Sequence, residues 1–382
     1  MIDCDHRTAL PTAAGVSRWG ELYGSSLAWV LSEVSLACGP MLVVTPSGRE
    51  ADQMLAELAF FAGKGQTLLS LPDREILPYD PFSPHPDIVS QRLRTLAALP
   101  GLERGLIVTT RAALLDRLPP RQFIDAHVFE LRTGQRIDLG RLRARLAGAG
   151  YSHVTQVLSP GEFAVRGSVL DVYAAGAAEP FRLDLFDDQI ESIRSFDAAD
   201  QRSAQRLDKV RLLPAREFPS TPEAVAGFRG RWRERFAGDP QASAVYRAVS
   251  QGLAPAGIEA WLPLFFDSTE TVAAYLPPAT VIVDTADLEH GLPLASAEVL
   301  ERYEQRRHDR ERPILPPAEA FAPAEALAAA FAKHARIIVT GVKAEPLATA
   351  LPIRNFGTEP PPELRADARA LVPLAALAAF QA

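Results

Sequence analysis

Residues 161–172 and 181–188 place charged and aromatic side chains at the spacing of a β-strand. In Phe181-Arg182-Leu183-Asp184-Leu185-Phe186 successive side chains point to opposite sides, so Phe181, Leu183 and Leu185 share one face and Arg182, Asp184 and Phe186 the other. Three apolar residues make the first face the core side, which leaves a phenyl ring beside a guanidinium on the wet side. The same parity in Gly161-Glu162-Phe163-Ala164-Val165-Arg166-Gly167 turns Phe163 and Val165 inward and Arg166 outward. Arginine and aromatic anchors on a rigid sheet have the composition of a protein-docking surface. Pattern alone leaves two other arrangements open: Phe186 folding over the strand end into the core, and Asp184 pairing with Arg182.

Nucleotide chemistry can be tested by inspection, because a phosphate-binding loop GxxxxGK[ST] needs a lysine on the phosphates and a following hydroxyl on magnesium. The chain has four lysines, Lys64, Lys209, Lys333 and Lys343, and none stands in that setting. Val281-Ile282-Val283-Asp284 ends as a magnesium-holding strand does, with Asp284 at its tip, but Thr285 follows where a hydrolase places a glutamate to activate water. An ordinary buried strand ending in a polar residue reads the same way. The loop Leu77-Pro78-Tyr79-Asp80-Pro81-Phe82-Ser83-Pro84-His85 has rings that could stack on bases, yet its three prolines and lack of a basic cluster fit a stiff crossover connection. His85 has no serine or cysteine nucleophile in its local pattern, and Cys4 with His6 reads as a loose terminus rather than a metal site.

Composition bounds the rest. The 382 residues, 47% apolar and 23% charged, describe a soluble globular chain of two or three domains. Forty basic against 47 acidic residues leave a net charge of −7, so no protein-wide positive field draws the chain onto nucleic acid or anionic lipid. Two cysteines, Cys4 and Cys38, build no disulfide framework, the N-terminus lacks an apolar export core, and no eighteen-residue apolar run occurs. The expectation is a reduced, cytoplasmic protein with no cofactor, no metal and no membrane contact.

The elements that must position these residues follow from periodicity. Met41-Leu42-Val43-Val44-Thr45, Thr67-Leu68-Leu69-Ser70 and Gly105-Leu106-Ile107-Val108-Thr109 are short apolar runs. The helical patterns between them include Ala51, Met54, Leu55, Leu58 and Ala59, and a helix near Asp87 to Leu99. This is the texture of a parallel α/β sheet. The run 280–284 is of the same type and returns to that sheet. Between the two halves, residues from about 123 to 212 alternate with period two and read as a separate, inserted mixed α+β unit. Thr221-Pro222-Glu223 opens a helix with an apolar stripe of Val225, Phe228, Trp232 and Phe236. Its arginines, Arg229, Arg231, Arg233 and Arg235, and the five in residues 301–312, read as solvated faces. Arg336-Ile337-Ile338-Val339-Thr340, after a proline-marked linker, begins a third unit that stops partway.

At the residues just described the sequence resembles the bacterial transcription-repair coupling factors. The matching motifs are Gly161 through Gly167, Arg182-Leu183-Asp184 through Phe186-Asp187-Asp188, the loop Leu77 through His85, and Leu212-Leu213-Pro214-Ala215-Arg216-Glu217-Phe218. The likeness runs over nearly the whole chain, and corresponds to the N-terminal third of such a factor, the part similar to the excision-repair subunit UvrB. It implies a helicase-like (RecA-like, P-loop NTPase-type) domain 1 in residues 1–122 and 213–334, lacking a working phosphate loop. It further implies an inserted domain 2 in 123–212 that docks on UvrA, and the start of a small domain 3 in 335–382. Arg166, Arg182 and Phe186 match the family's UvrA-contacting positions. Where UvrB has its phosphate loop this chain reads Gly24-Ser25-Ser26-Leu27-Ala28, with Leu27 for the lysine and Ala28 for the hydroxyl residue, and Asp284 is left as a degenerate magnesium-site aspartate. UvrB's long aromatic hairpin has no counterpart before the helix near Asp87. The expected function is non-catalytic recruitment of UvrA, linking stalled transcription to nucleotide excision repair, with RNA polymerase and DNA reached only through domains beyond this chain. The alternative is an ATP-dependent helicase-like or UvrB-type damage-verifying subunit, which needs a lysine on phosphate. Direct DNA binding by the arginine-bearing helices is disfavoured by the net charge.

Overall fold

Every residue of Met41-Leu42-Val43-Val44-Thr45 is buried, which requires packing on both sides of the strand. Its side chains divide by parity: Leu42 and Val44 enter the core on one side of the sheet, Met41 and Val43 the core on the other. In the computed structural model, which describes residues 14–63, 65–341 and 351–360, four strands come first: β1 (Val16–Gly20), β2 (Met41–Thr45), β3 (Leu68–Leu71) and β4 (Leu106–Thr110). The next eight are β5 (Phe129–Arg132), β6 (Ser152–His153), β7 (Glu162–Arg166), β8 (Val169–Tyr173), β9 (Phe181–Phe186), β10 (Gln189–Phe196), β11 (Ser203–Leu207) and β12 (Lys209–Leu212). Last come β13 (Val281–Asp284), β14 (Ala335–Val339) and β15 (Ile353–Asn355).

The outer two groups form one seven-stranded sheet in the order β15-β1-β14-β13-β2-β4-β3, parallel at every pairing. The helices Ser26–Ser35 and Gly48–Phe61 cover one face. Pro86–Ala98 and the helical block from Pro222–Arg235 to Leu288–Arg306 cover the other. This is the α/β architecture expected, and 280–284 does return to the first sheet, beside β2. The strand at 336–340 is placed differently from the sequence expectation: β14 does not begin a third unit but lies between β1 and β13 as an inner strand. Its partners are 320 residues and 54 residues earlier in the chain (Val16 with Arg336, Val281 with Ala335), and such distant pairings leave no local signal. Of the rest of 335–382, β15 pairs with β1. Segments 342–350 and 361–382 lie outside the described residues, as do Cys4, His6 and Lys64.

The middle strands build the inserted unit. A six-stranded mixed sheet in the order β11-β10-β9-β8-β7-β6 is antiparallel except where β6 joins β7 in parallel, and β5 pairs with β12 beside it. One face closes on the helix Leu139–Gly148 and the β5–β12 pair, through Leu142, Leu146, Phe163, Leu170, Leu183 and Leu185. Asp138 starts that helix, its side chain accepting from the Arg141 N–H. The opposite face carries only a small apolar cluster of Val157, Ala164 and Phe196.

A charged knot ties the insert's exit to the large sheet. Arg92 is sealed from solvent on the helix Pro86–Ala98. Its Nε donates to Glu217 at 2.5 Å, Nη1 donates to the Pro72 carbonyl at 2.7 Å, and Nη1 lies 2.9 Å from Asp116. Arg74 donates to the other Glu217 oxygen at 2.9 Å and lies 3.5 Å from Asp116. Two guanidiniums and two carboxylates thus balance in a buried site, the arrangement a desolvated charge requires.

The helix at 222 begins as expected, with the Thr221 hydroxyl accepting from the Ala224 N–H and Phe228 and Trp232 buried. Its arginines are not a simply solvated face: Arg229 and Arg233 donate to the Tyr246 hydroxyl, Arg231 pairs with Asp267 and Arg235 with Glu319. Arg302 and Arg306 likewise reach Asp80 on the proline loop, at 3.2 and 2.7 Å. That loop is pinned further by Tyr79, buried and donating to the Leu315 carbonyl at 3.0 Å, while the His85 ring accepts from the Asp87 N–H to start the next helix.

Candidate partner-docking site

On β9 the core face is as parity requires: Leu183 and Leu185 are buried, with Phe181 packed against the same cluster. Phe163 is buried there too, and Val165 packs beside it. Phe186 closes the strand with 75% of its surface exposed, so it does not fold back into the core. Asp187, at φ 56°, takes the left-handed conformation of a two-residue turn that brings Gln189 opposite Phe186 and presents the ring at the sheet's end.

The residue that organises the opposite face is Asp171, which the sequence pattern did not single out. The β8–β9 register sets Asp171 directly across from Arg182, and the β7–β8 register sets it across from Ala164. Asp171 is 1% exposed and is held by two arginines. Arg182 forms a side-on fork, Nε donating to Oδ1 at 2.7 Å and Nη2 to Oδ2 at 2.9 Å, and Arg166 donates to the same Oδ2. Arg182 Nη1 donates to the Gln201 carbonyl at 3.2 Å, and its guanidinium lies 4.5 Å over the Phe196 ring. These contacts leave the Arg182 side chain 19% exposed, against 51% for Arg166. The hydrogen bonds that Arg182 donates to Asp171, outweighing the cost of partial burial, hold the Arg182 pKa above the usual guanidinium range.

Asp184 does not pair with Arg182. It faces Ser192, accepts from that hydroxyl at 2.6 Å and lies 3.8 Å from the Arg194 guanidinium. Arg194 stands directly opposite Arg182 on β10 and is 47% exposed. The structure therefore brings Arg166 and Arg182 together through one carboxylate, sets Phe186 at the end of the same strand as Arg182, and adds Arg194 from the next strand. A signal for Asp171 was present in Val169-Leu170-Asp171-Val172, a lone acid amid apolar residues and one strand from two arginines, but only the register identifies its partners.

The nucleotide-site positions lie in the large sheet. After β1 the chain passes through Gly24 and Ser25 into the helix Ser26–Ser35, where Leu27 and Ala28 are buried in the core beside Trp19 and Val30. Asp284 ends β13 with its carboxylate accepting from the backbone N–H of Ala286 at 2.9 Å and of Leu288 at 3.0 Å. Burial pushes its pKa up, and those N–H groups oppose the rise. No cluster of three His, Cys, Asp or Glu able to hold a metal occurs among the described residues, and none of their helices is long and apolar enough to cross a membrane.

The family model described as the UvrB interaction domain matches residues 129–218, the inserted unit and its exit. The transcription-repair-coupling factor of Escherichia coli K12 is 38% identical over 378 residues, 98% of this chain and 32% of that protein. Its counterpart in Haemophilus influenzae is 36% identical over 345 residues, 89% of this chain and 29% of that protein. The Myxococcus xanthus factor is 33% identical over 331 residues, 78% of this chain and 26% of that protein. The chain spans about a third of the length of the Escherichia coli and Haemophilus influenzae relatives. Across 98% of its length, then, this chain is a homologue of the bacterial transcription-repair-coupling factors, and it carries a UvrB interaction domain.

Proposed function

We propose that the chain is a non-catalytic module that recruits UvrA through its inserted domain, residues 123–212, and so links stalled transcription to nucleotide excision repair. The observation that carries this reading is Phe186, a large apolar ring held in water at the end of β9 on the sheet that also bears Arg166. Exposing a phenyl ring costs a free protein the burial it could have had, and a partner that covers the ring recovers it. Arg166, Arg182 and Phe186 are the three anchors. The guanidiniums favour a carboxylate-bearing partner surface. A non-catalytic role is supported by the buried Leu27 and Ala28, which offer neither cation nor hydroxyl to a phosphate, and by Asp284, whose oxygens are engaged by backbone N–H groups. The domains that engage RNA polymerase and DNA lie, on this reading, outside this chain, and the module works in the cytoplasm.

Equilibrium binding to UvrA tests the proposal. Arg166→Ala and Arg182→Ala each weaken binding by about 1 to 4 kcal/mol, the range of central interface anchors. Unchanged affinity in both variants overturns the docking assignment, and ATP turnover by the chain alone overturns the non-catalytic half.

A further inference from the structure

The three proposed anchors are not equivalent, because Arg182 has little left to offer a partner. Its Nε, Nη1 and Nη2 already donate within the domain, the guanidinium lies over Phe196, and the side chain is largely covered. Arg166 spends one Nη2 contact on Asp171 and keeps most of its five N–H donors in water. Arg194, directly across from Arg182, is as exposed as Arg166, and its nearest acid, Asp184, is 3.8 Å away and also accepts from Ser192. Glu162, Asp171 and Asp184 are the strand carboxylates on this face, and the row that crosses it, Asp171-Arg182-Arg194-Arg206, sets three guanidiniums against one of them. A chain of net charge −7 therefore holds a locally positive row across the outer face of the insert, while Asp187 and Asp188 flank Phe186 at its end.

The geometry points to a contact set of Arg166, Phe186 and Arg194, with Arg182 a positioning residue that fixes Asp171 and through it Arg166, and to a partner surface that presents carboxylates beside an apolar recess. This rests on the docking reading above and sharpens it. Asp171 is the keystone: buried between two arginines, it sets the height and direction of the Arg166 head group before a partner arrives, which lowers the ordering cost of binding. Arg194 has no such fixed acceptor and adds charge that the partner's acids can meet.

Five variants of the full chain, measured against UvrA at equilibrium, separate the roles. Arg194→Glu weakens binding about tenfold or more while the thermal midpoint stays at the wild-type value. Arg182→Lys loses as much affinity as Arg182→Ala, since a lysine keeps the charge but cannot make the side-on fork to Asp171. The Arg166→Ala, Arg182→Ala double variant binds no more weakly than Arg166→Ala alone, whereas independent contacts multiply their losses. Wild-type affinity in Arg194→Glu, full rescue by Arg182→Lys, or multiplicative losses each overturn the assignment. A readout without any partner isolates the positioning role: the Arg182 Nε–H proton exchanges slowly in wild type and rapidly in Asp171→Asn by proton–nitrogen NMR, and equal exchange in both overturns that role alone. Failure of the wild-type chain to bind UvrA overturns the docking reading and the partner named with it.

Discussion

Two knots of arginine and carboxylate hold this molecule together, and they differ in balance and in access. At the exit of the insert, Arg74 and Arg92 meet Asp116 and Glu217, two charges against two, with side-chain exposures between 0% and 11%. On the outer face of the insert, Arg166 and Arg182 share the single carboxylate of Asp171, and one guanidinium stays half in water. The first knot pairs its charges evenly among nearly buried groups, and so holds segments together: the loop after β3, the helix Pro86–Ala98, the turn at Asp116 and the chain leaving β12. The second carries surplus positive charge on one open side. The contrast teaches how the same chemistry serves opposite ends: a neutral sealed cluster fixes a junction, and an unbalanced open one leaves a surface that another molecule completes.

The sealed knot yields the largest expected effect. Arg92→Ala strands Glu217 and Asp116 in the interior with only Arg74 between them, and removing one partner of a buried ion pair costs about 3 to 5 kcal/mol. Chemical denaturation of Arg92→Ala measures this, with a loss under about 1 kcal/mol breaking the distinction between the two knots. Arg166→Ala, by contrast, removes the exposed member of the open knot and leaves Asp171 its fork to Arg182, so its stability stays within about 0.5 kcal/mol of wild type.

How far each knot was legible in the sequence follows from the range of its contacts. Parity along β9 is local, and it placed Leu183 and Leu185 inside and Phe186 outside with no knowledge of the neighbouring strands. The large sheet was visible for the same reason, since the largely apolar runs of β2 and β4 fit a strand covered on both faces, and every residue of both is buried. What parity could not supply was register. Asp171 rather than Asp184 receives Arg182 because the β8–β9 ladder sets them opposite each other. That Val157 and Phe196 cover part of the outer face depends on a loop and a strand end with no sequence mark. The sealed knot joins positions 143 and 125 residues apart, Arg74 and Arg92 with Glu217, and β14 enters the sheet beside a strand some 320 residues earlier. Such pairings are decided by the assembled core and by no segment alone.

Acid distinguishes the knots further. Burial alone would raise the Glu217 pKa, but Arg92 and Arg74 beside it outweigh that cost and hold it down at about 2, below the ordinary value of 4.5. A carboxyl with a depressed folded-state pKa binds protons more readily unfolded. The stability it contributes is therefore complete above about pH 4.5 and lost progressively as pH falls toward 2. Glu217→Gln starts less stable at neutral pH and has a flatter stability profile across that window. Denaturation midpoints taken between pH 6 and pH 3 on both proteins check the prediction, and parallel profiles would remove Glu217 as a source of the acid sensitivity.

The smallest expected effect is the sharpest on the open side. A buried phenylalanine cut to alanine costs about 3 to 5 kcal/mol, the transfer of the ring plus the cavity left behind. Phe186 lies in water and would leave no cavity, so Phe186→Ala changes folding stability by no more than about 0.5 kcal/mol. Phe163→Ala, on β7 with its ring buried in the core cluster of the insert, takes the full core penalty and serves as the internal standard. Both are phenylalanines of one sheet, pointing to opposite faces, so fold, strand type and residue chemistry are held constant and only the side differs. Equal destabilisation of the two would mean that the Phe186 ring is packed in solution, and the open face would lose the apolar anchor on which its comparison with the sealed knot depends.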